Sequence, residues 1–209
     1  WIFTEGTKYI MKEKIITSRS ASRSLTMDVA VSGLFAALIA IGAFMKIVIP
    51  VGVDTMNFTL QWLFVLLAGL LLGSKRAFRS VATYLVTGLI GFPIFARGGG
   101  PAYLLRPTFG FLLGFAIAAW MMGFLSEKLR PTKAISWFWV TLAGYTAYYG
   151  MGILYFYMIT HLLSSQTPTA LRVIFGVYCL PTMLPDLMLC ALAVMIAGRL
   201  RPAVQVSLK

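Results

Sequence analysis

Six apolar runs separated by short polar turns constrain this chain more than any other feature. They lie at about residues 28 to 49, 59 to 73, 77 to 95, 108 to 126, 135 to 162 and 181 to 198. A helix needs roughly 20 apolar residues to cross the hydrocarbon core of a bilayer. The second run is short for that and is expected to sit tilted or to cross only in part. The composition agrees with a membrane chain: 59% of the 209 residues are hydrophobic, 11% are charged and the mean hydropathy is +0.86, whereas soluble domains are nearer one-half apolar. The expectation is an all-α integral membrane protein of six transmembrane helices. The second and third are expected to form an antiparallel hairpin across Ser74, Lys75 and Arg76.

A net charge of +12 with a pI near 10.1 raises the question of nucleic acid, but basic residues beside apolar spans are what orientation in a bilayer requires. The charge is therefore assigned to the lipid surface, and no nucleic-acid partner is expected. Of the 18 lysines and arginines, fourteen fall in the N-terminal tail, at Lys75, Arg76 and Arg79, at Lys128, Arg130 and Lys133, and in the C-terminal tail. The other four are Lys46, Arg97, Arg106 and Arg172. By the positive-inside rule both termini are cytoplasmic and the turns bearing those four face outward. The resulting division is a cytoplasmic tail over 1–27, a membrane domain over 28–199 and a cytoplasmic tail over 200–209. The chain begins at Trp1 rather than Met, so part of the first tail is expected to be vector-derived or trimmed. It has no apolar core long enough for a signal peptide.

Between the third and fourth runs lies GFPIFARGGGPAYLLRPTFGFLLG, residues 91 to 114. Irregular backbone beside a bilayer is tolerated where protein or a wet cavity satisfies its polar groups. The triplet Gly98, Gly99 and Gly100 permits positive φ and close backbone approach, while Pro93, Pro101 and Pro107 stiffen the flanks. Two readings are open: a turn between helices, or the lining of a site.

No catalytic constellation stands out. His161, the single histidine, sits at a helix end, and no nucleophile has a base beside it. Cys179 and Cys190, eleven residues apart, suggest neither a disulfide framework nor a metal site. No Walker A motif or internal repeat is present, so any transport would draw its energy from a partner. The chain is expected not to be an enzyme and to need no cofactor.

Asp186, in LPTMLPDLMLCALAVMIAG, is an ionisable group in an otherwise uncharged apolar run and so a functional candidate. Pro181 and Pro185 are expected to interrupt or start that helix, so a helix N-cap is the alternative role for Asp186. Gln61 opens the second run as a donor and acceptor that either reads a polar ring or caps, and Asn57 is similar. Tyr103, Tyr145, Tyr148 and Tyr149 suit a ligand wall or a membrane interface. Small pairs Gly33/Ala37 and Ala36/Ala40 allow close helix approach, either within the bundle or to another chain.

The runs GLFAALIAIGAF, FTLQWLFVLLAGLLLGSK and YLVTGLIGFPIFARGGGPAYLLRPTFGFLLGF, with Pro185–Asp186–Leu187 near the end, resemble the BioY family, the biotin-binding S components of energy-coupling factor transporters. The likeness covers roughly residues 30 to 199. It implies six helices in a bacterial plasma membrane and a substrate held under the outer loops. It also implies partnership with a transmembrane coupling protein and two cytoplasmic ATPases, docked through Ala36 and Ala40. By position, it implies Gln61, Gly98, Gly99, Gly100, Thr108 and Asp186 as substrate-binding residues, to which Tyr103, Arg97 and Arg106 are added from the loop itself. This chain departs from the family pattern in having Arg97, Arg106 and Phe109 where small residues are usual, and Leu189 where a lysine is. An arginine can fork a carboxylate in the lysine's stead. The expected ligand is biotin, with a related carboxylate such as lipoate as the alternative, and a structural membrane protein without a ligand as the competing class.

Overall fold

The structure, a computed structural model, describes residues 25–51, 54–163 and 171–207. Helix α1 (Leu25–Phe44) buries Ser32, Ala36, Ile39 and Ala43, positions that share one face at a period of 3.6 residues. Leu34, Ala37 and Ile41, on the other face, are exposed. Ahead of α1, the tail expected over 1–27 lies outside the described residues as far as residue 24, and Leu25 to Met27 belong to the helix.

The first run was expected to stay helical to residue 49, but α1 ends at Phe44. Lys46–Val51 (β1) pairs antiparallel with Asp54–Thr59 (β2), Lys46 opposite Thr59 and Ile47 opposite Phe58. The physical reason is local: KIVIPV is β-branched and carries a proline, which favours extended backbone and cannot donate inside a helix. The fold is therefore mostly helical with one hairpin, not purely α.

Helix α2 (Gln61–Leu72) is buried on nearly every side, as a helix that is apolar all round must be. At 1.5 Å per residue it is about 18 Å long. Gly42 lets α1 cross it closely, since a Cβ there would lie 2.9 Å from the Gln61 backbone nitrogen. One residue, Gly73 with φ +81°, separates α2 from α3 (Ser74–Ile90). Ser74, Lys75 and Arg76, expected as a turn, thus form the first turn of α3. The Glu127 carboxylate accepts hydrogen bonds from Ser74 N at 2.8 Å and Ser74 Oγ at 2.9 Å, satisfying the start of α3 from another helix. Nearby, Asp28 takes Arg76 at 2.6 Å and Arg79 at 3.2 Å, tying α1 to α3.

After a loop and a 3₁₀ turn at Pro101–Leu105 come α4 (Phe109–Leu129) and α5 (Ala134–Leu163). The chain is helical again from Leu171, with a π-helical stretch at Ile174–Cys179, and continues as α6 (Leu180–Ser207). The expected sixth span, 181 to 198, is therefore longer at both ends. It runs through Pro185 and Pro202 rather than starting or breaking at a proline, and residues 200 to 207, assigned to a tail, are helical. Helix α4 packs on α5, α3 and α2, while α6 packs on α2 and α5. Among the described residues α1, α4 and α6 are long and apolar enough to cross a membrane.

Candidate ligand-binding site

Where α2 begins, the hairpin, the Gly-rich loop, the near ends of α4 and α6 and the middle of α5 line a cavity of about 90 Å³. Asn57, Phe58 and Thr59 of β2 line it, with Gln61 and Trp62 of α2 and Ala96, Arg97 and Tyr103 of the loop. Thr108, Phe111, Leu112 and Phe115 contribute from the start of α4, Tyr148 from α5, and Thr182 and Asp186 from α6.

One wall is aromatic. The Trp62 and Tyr148 rings stack with centroids 4.6 Å apart, Phe115 lies against Tyr148 at 5.1 Å and Trp62 at 5.8 Å, and Phe111 meets Tyr148 edge-on at 5.6 Å. Phe111 and Phe115 are four apart on α4 and so share a face. Such a wall suits an apolar or flat ring, with stacked contacts stronger than the buried area alone provides.

Other groups at the cavity are polar. Asp186 is only 3% exposed, and its Oδ2 accepts a hydrogen bond from Tyr149 Oη at 2.7 Å. That hydroxyl also lies 3.0 Å from Thr182 Oγ1, which reaches the Cys179 carbonyl at 3.0 Å. Thr182 and Asp186 stand one turn apart on α6. At the start of α2, Gln61 is 2% exposed; its Nε2 donates to Tyr84 Oη at 2.6 Å and its Oε1 accepts from Thr59 Oγ1 at 3.2 Å. Tyr84 Oη donates in turn to the Ile94 carbonyl at 3.2 Å. Burial raises the pKa of the Tyr103 phenol, while the charges of Arg106 and Arg97 pull it back.

The loop and hairpin close the same end. Lys46 Nζ donates to the Ala96 carbonyl at 2.7 Å, and Phe95 and Gly98 exchange backbone bonds of 2.9 and 3.1 Å. Gly100 N donates to the Gly88 carbonyl at 2.8 Å. A Cβ on Gly99 would collide with the Phe92 carbonyl, so this glycine serves approach of the chain to itself.

Of the residues expected at a site, Gln61, Arg97, Tyr103, Thr108 and Asp186 line one cavity. Gly98, Gly99 and Gly100 shape the loop without being among the lining residues, and Arg106 instead lies over the Tyr103 ring, 5.3 Å from its centroid. Of the departures, Phe109 is buried against Tyr103 and Tyr155 and Leu189 is in the core. His161 is exposed and rests on Tyr157. At the docking face expected at Ala36 and Ala40, Ala36 is 8% exposed and Ala40 packs against the core, so small residues stand where α1 meets the bundle. The small pair left exposed is Gly33 and Ala37. Trp62, Phe111, Phe115, Tyr84 and Thr182 were not anticipated. The four-residue spacings Phe111/Phe115 and Thr182/Asp186, the second anchored on an intramembrane acid, are the signals that carry some of them.

Fold and site together define a class: a multi-pass helical membrane protein with a polar and aromatic cavity under its loops. A family model described as the BioY family matches residues 11–206. A biotin transporter BioY of Thermotoga maritima is 35% identical over 172 residues, 81% of this chain and 93% of that one. A probable biotin transporter BioY of Pyrococcus horikoshii is 35% identical over 176 residues, covering 83% and 96%. Among solved structures, the S-component for biotin from an ECF-type ABC transporter superposes with a TM-score of 0.73 at 25% identity, over 88% of this chain and 93% of that chain. This chain belongs to the BioY family.

Proposed function

We propose that this protein is the biotin-binding S component of an energy-coupling factor transporter. In this reading it captures the vitamin from the outer side of the plasma membrane for uptake driven by a coupling protein and two ATPases. The observation that carries the reading is the convergence of Asp186, Gln61 and Arg97 with the Trp62, Tyr148 and Phe115 stack around one cavity. The aromatic wall takes the apolar body of the ligand, and Asp186, with one oxygen left by Tyr149, accepts from a ring N–H. Arg97 pairs with the carboxylate tail, since arginine is suited to that geometry, while Arg106 sits on Tyr103. Thr108 and Tyr103 complete the polar rim, and the glycine triplet holds Arg97 in place.

In the same reading all six helices cross or enter the bilayer with both termini cytoplasmic, which leaves the cavity outward and the Asp28, Arg76 and Glu127 cluster inward. The coupling protein docks on the exposed side of α1, where Gly33 and Ala37 leave the backbone accessible to a neighbouring helix. Titration of the purified protein with biotin tests the function. Saturable one-to-one binding, competed poorly by lipoate, is expected; tighter binding of lipoate would reassign the ligand, and binding of neither would remove the function.

A further inference from the structure

The amide of Gln61 can face its surroundings in two ways, and which end it turns to the cavity decides what the site accepts there. Tyr84 Oη carries a single proton, and that proton lies toward the Ile94 carbonyl at 3.2 Å. A carbonyl oxygen can only accept. The remaining partner of the Tyr84 oxygen must therefore be a donor, and Gln61 Nε2 fills that place at 2.6 Å. The nitrogen end is thus turned to a residue that is not among those lining the cavity. The carbonyl end is turned to Thr59, which does line it, and Thr59 occupies one of the two lone pairs of Oε1.

We propose that Tyr84 is a positioning residue for ligand recognition: by accepting from Gln61 while donating to Ile94, it fixes the Gln61 carbonyl as a hydrogen-bond acceptor toward the cavity and selects ligands that present an N–H there. The inference rests on the proposed function, because biotin supplies ring N–H groups. Tyr84 itself, 1% exposed, acts through Gln61 and does not touch the ligand.

A double-mutant cycle reads this out, because residues that act through one another are non-additive. Biotin affinity is measured for the parent, Tyr84→Phe, Gln61→Leu and the double variant. Loss of one oriented hydrogen bond weakens binding by roughly tenfold, so Tyr84→Phe should weaken the parent by about that factor and leave Gln61→Leu unchanged. Equal losses in both backgrounds would show Tyr84 to be merely structural and would overturn the proposal. Should Tyr84→Phe not fold, the ligand decides: with biotin methylated at its ring nitrogens, which has no N–H to give, Gln61→Leu should cost much less affinity than it does with biotin. An equal cost for both ligands would mean that the Gln61 carbonyl does not accept from the ligand, which also overturns the proposal. A parent that binds no biotin would instead overturn the functional reading and this inference with it, whereas a parent that binds with additive losses overturns only the inference.

Discussion

Asp186, a carboxylate only 3% exposed at the cavity, has a hydroxyl, Tyr149, for a partner, so part of its hydrogen-bonding capacity is left for something that enters. Hydrogen bonds to charged groups contribute about 1.5–3 kcal/mol. Asp186→Asn should therefore weaken biotin roughly ten- to a hundredfold, measured by titration calorimetry; an unchanged affinity would take Asp186 out of the site. The two arginines separate in the same assay when biotin is compared with its methyl ester. Arg97→Gln should weaken the acid strongly and the ester little, and Arg106→Gln, which removes a charge from the Tyr103 ring, should affect both weakly and alike. Asp186 was legible from sequence because an acid in an apolar helix is conspicuous. Tyr84 and Trp62 were not, because an aromatic in an apolar run looks the same whether it packs in the core or lines a cavity, and only the neighbours brought by other helices distinguish the two.

At the scale of elements, the long helices were legible from their apolar length, while the hairpin was hidden. Ile47, Val48 and Ile49 continue the apolarity of α1 without the alternation that marks a half-buried strand, so helix and strand read as one run. The start of α3 was misplaced for the opposite reason: Ser74, Lys75 and Arg76 look like a turn, and it is Glu127, fifty-three positions away, that makes them a helix start. The crossing of α1 and α2 depends on Gly42. A Cβ there meets Gln61 N and Phe64 at 2.9 Å, and overpacking of this kind commonly costs 1–3 kcal/mol. Gly42→Val should lower the thermal midpoint in detergent and, by shifting the start of α2, weaken biotin as well. A variant with unchanged midpoint and affinity would show that this crossing yields easily.

At the scale of the whole molecule, the proposed function puts capture and assembly on different surfaces. The cavity lies under the loops, and Ala37 lies on the exposed side of α1. Ala37→Trp should abolish co-purification with the coupling protein and ATPases while leaving biotin affinity within about twofold of the parent, a change worth about 0.4 kcal/mol. Joint loss of both would place Ala37 in the fold rather than in an interface. The aromatic wall has a further, optical consequence. The chain has five tryptophans; Trp120 and Trp139 face outward, and Trp137 lies beneath the Arg201 guanidinium, 4.1 Å from it. Trp62 alone among these four lines the cavity. Its indole is therefore a built-in dye: ligand entry should change its emission colour and intensity in proportion to occupancy, and Trp62→Phe should leave a spectrum that no longer responds to the vitamin.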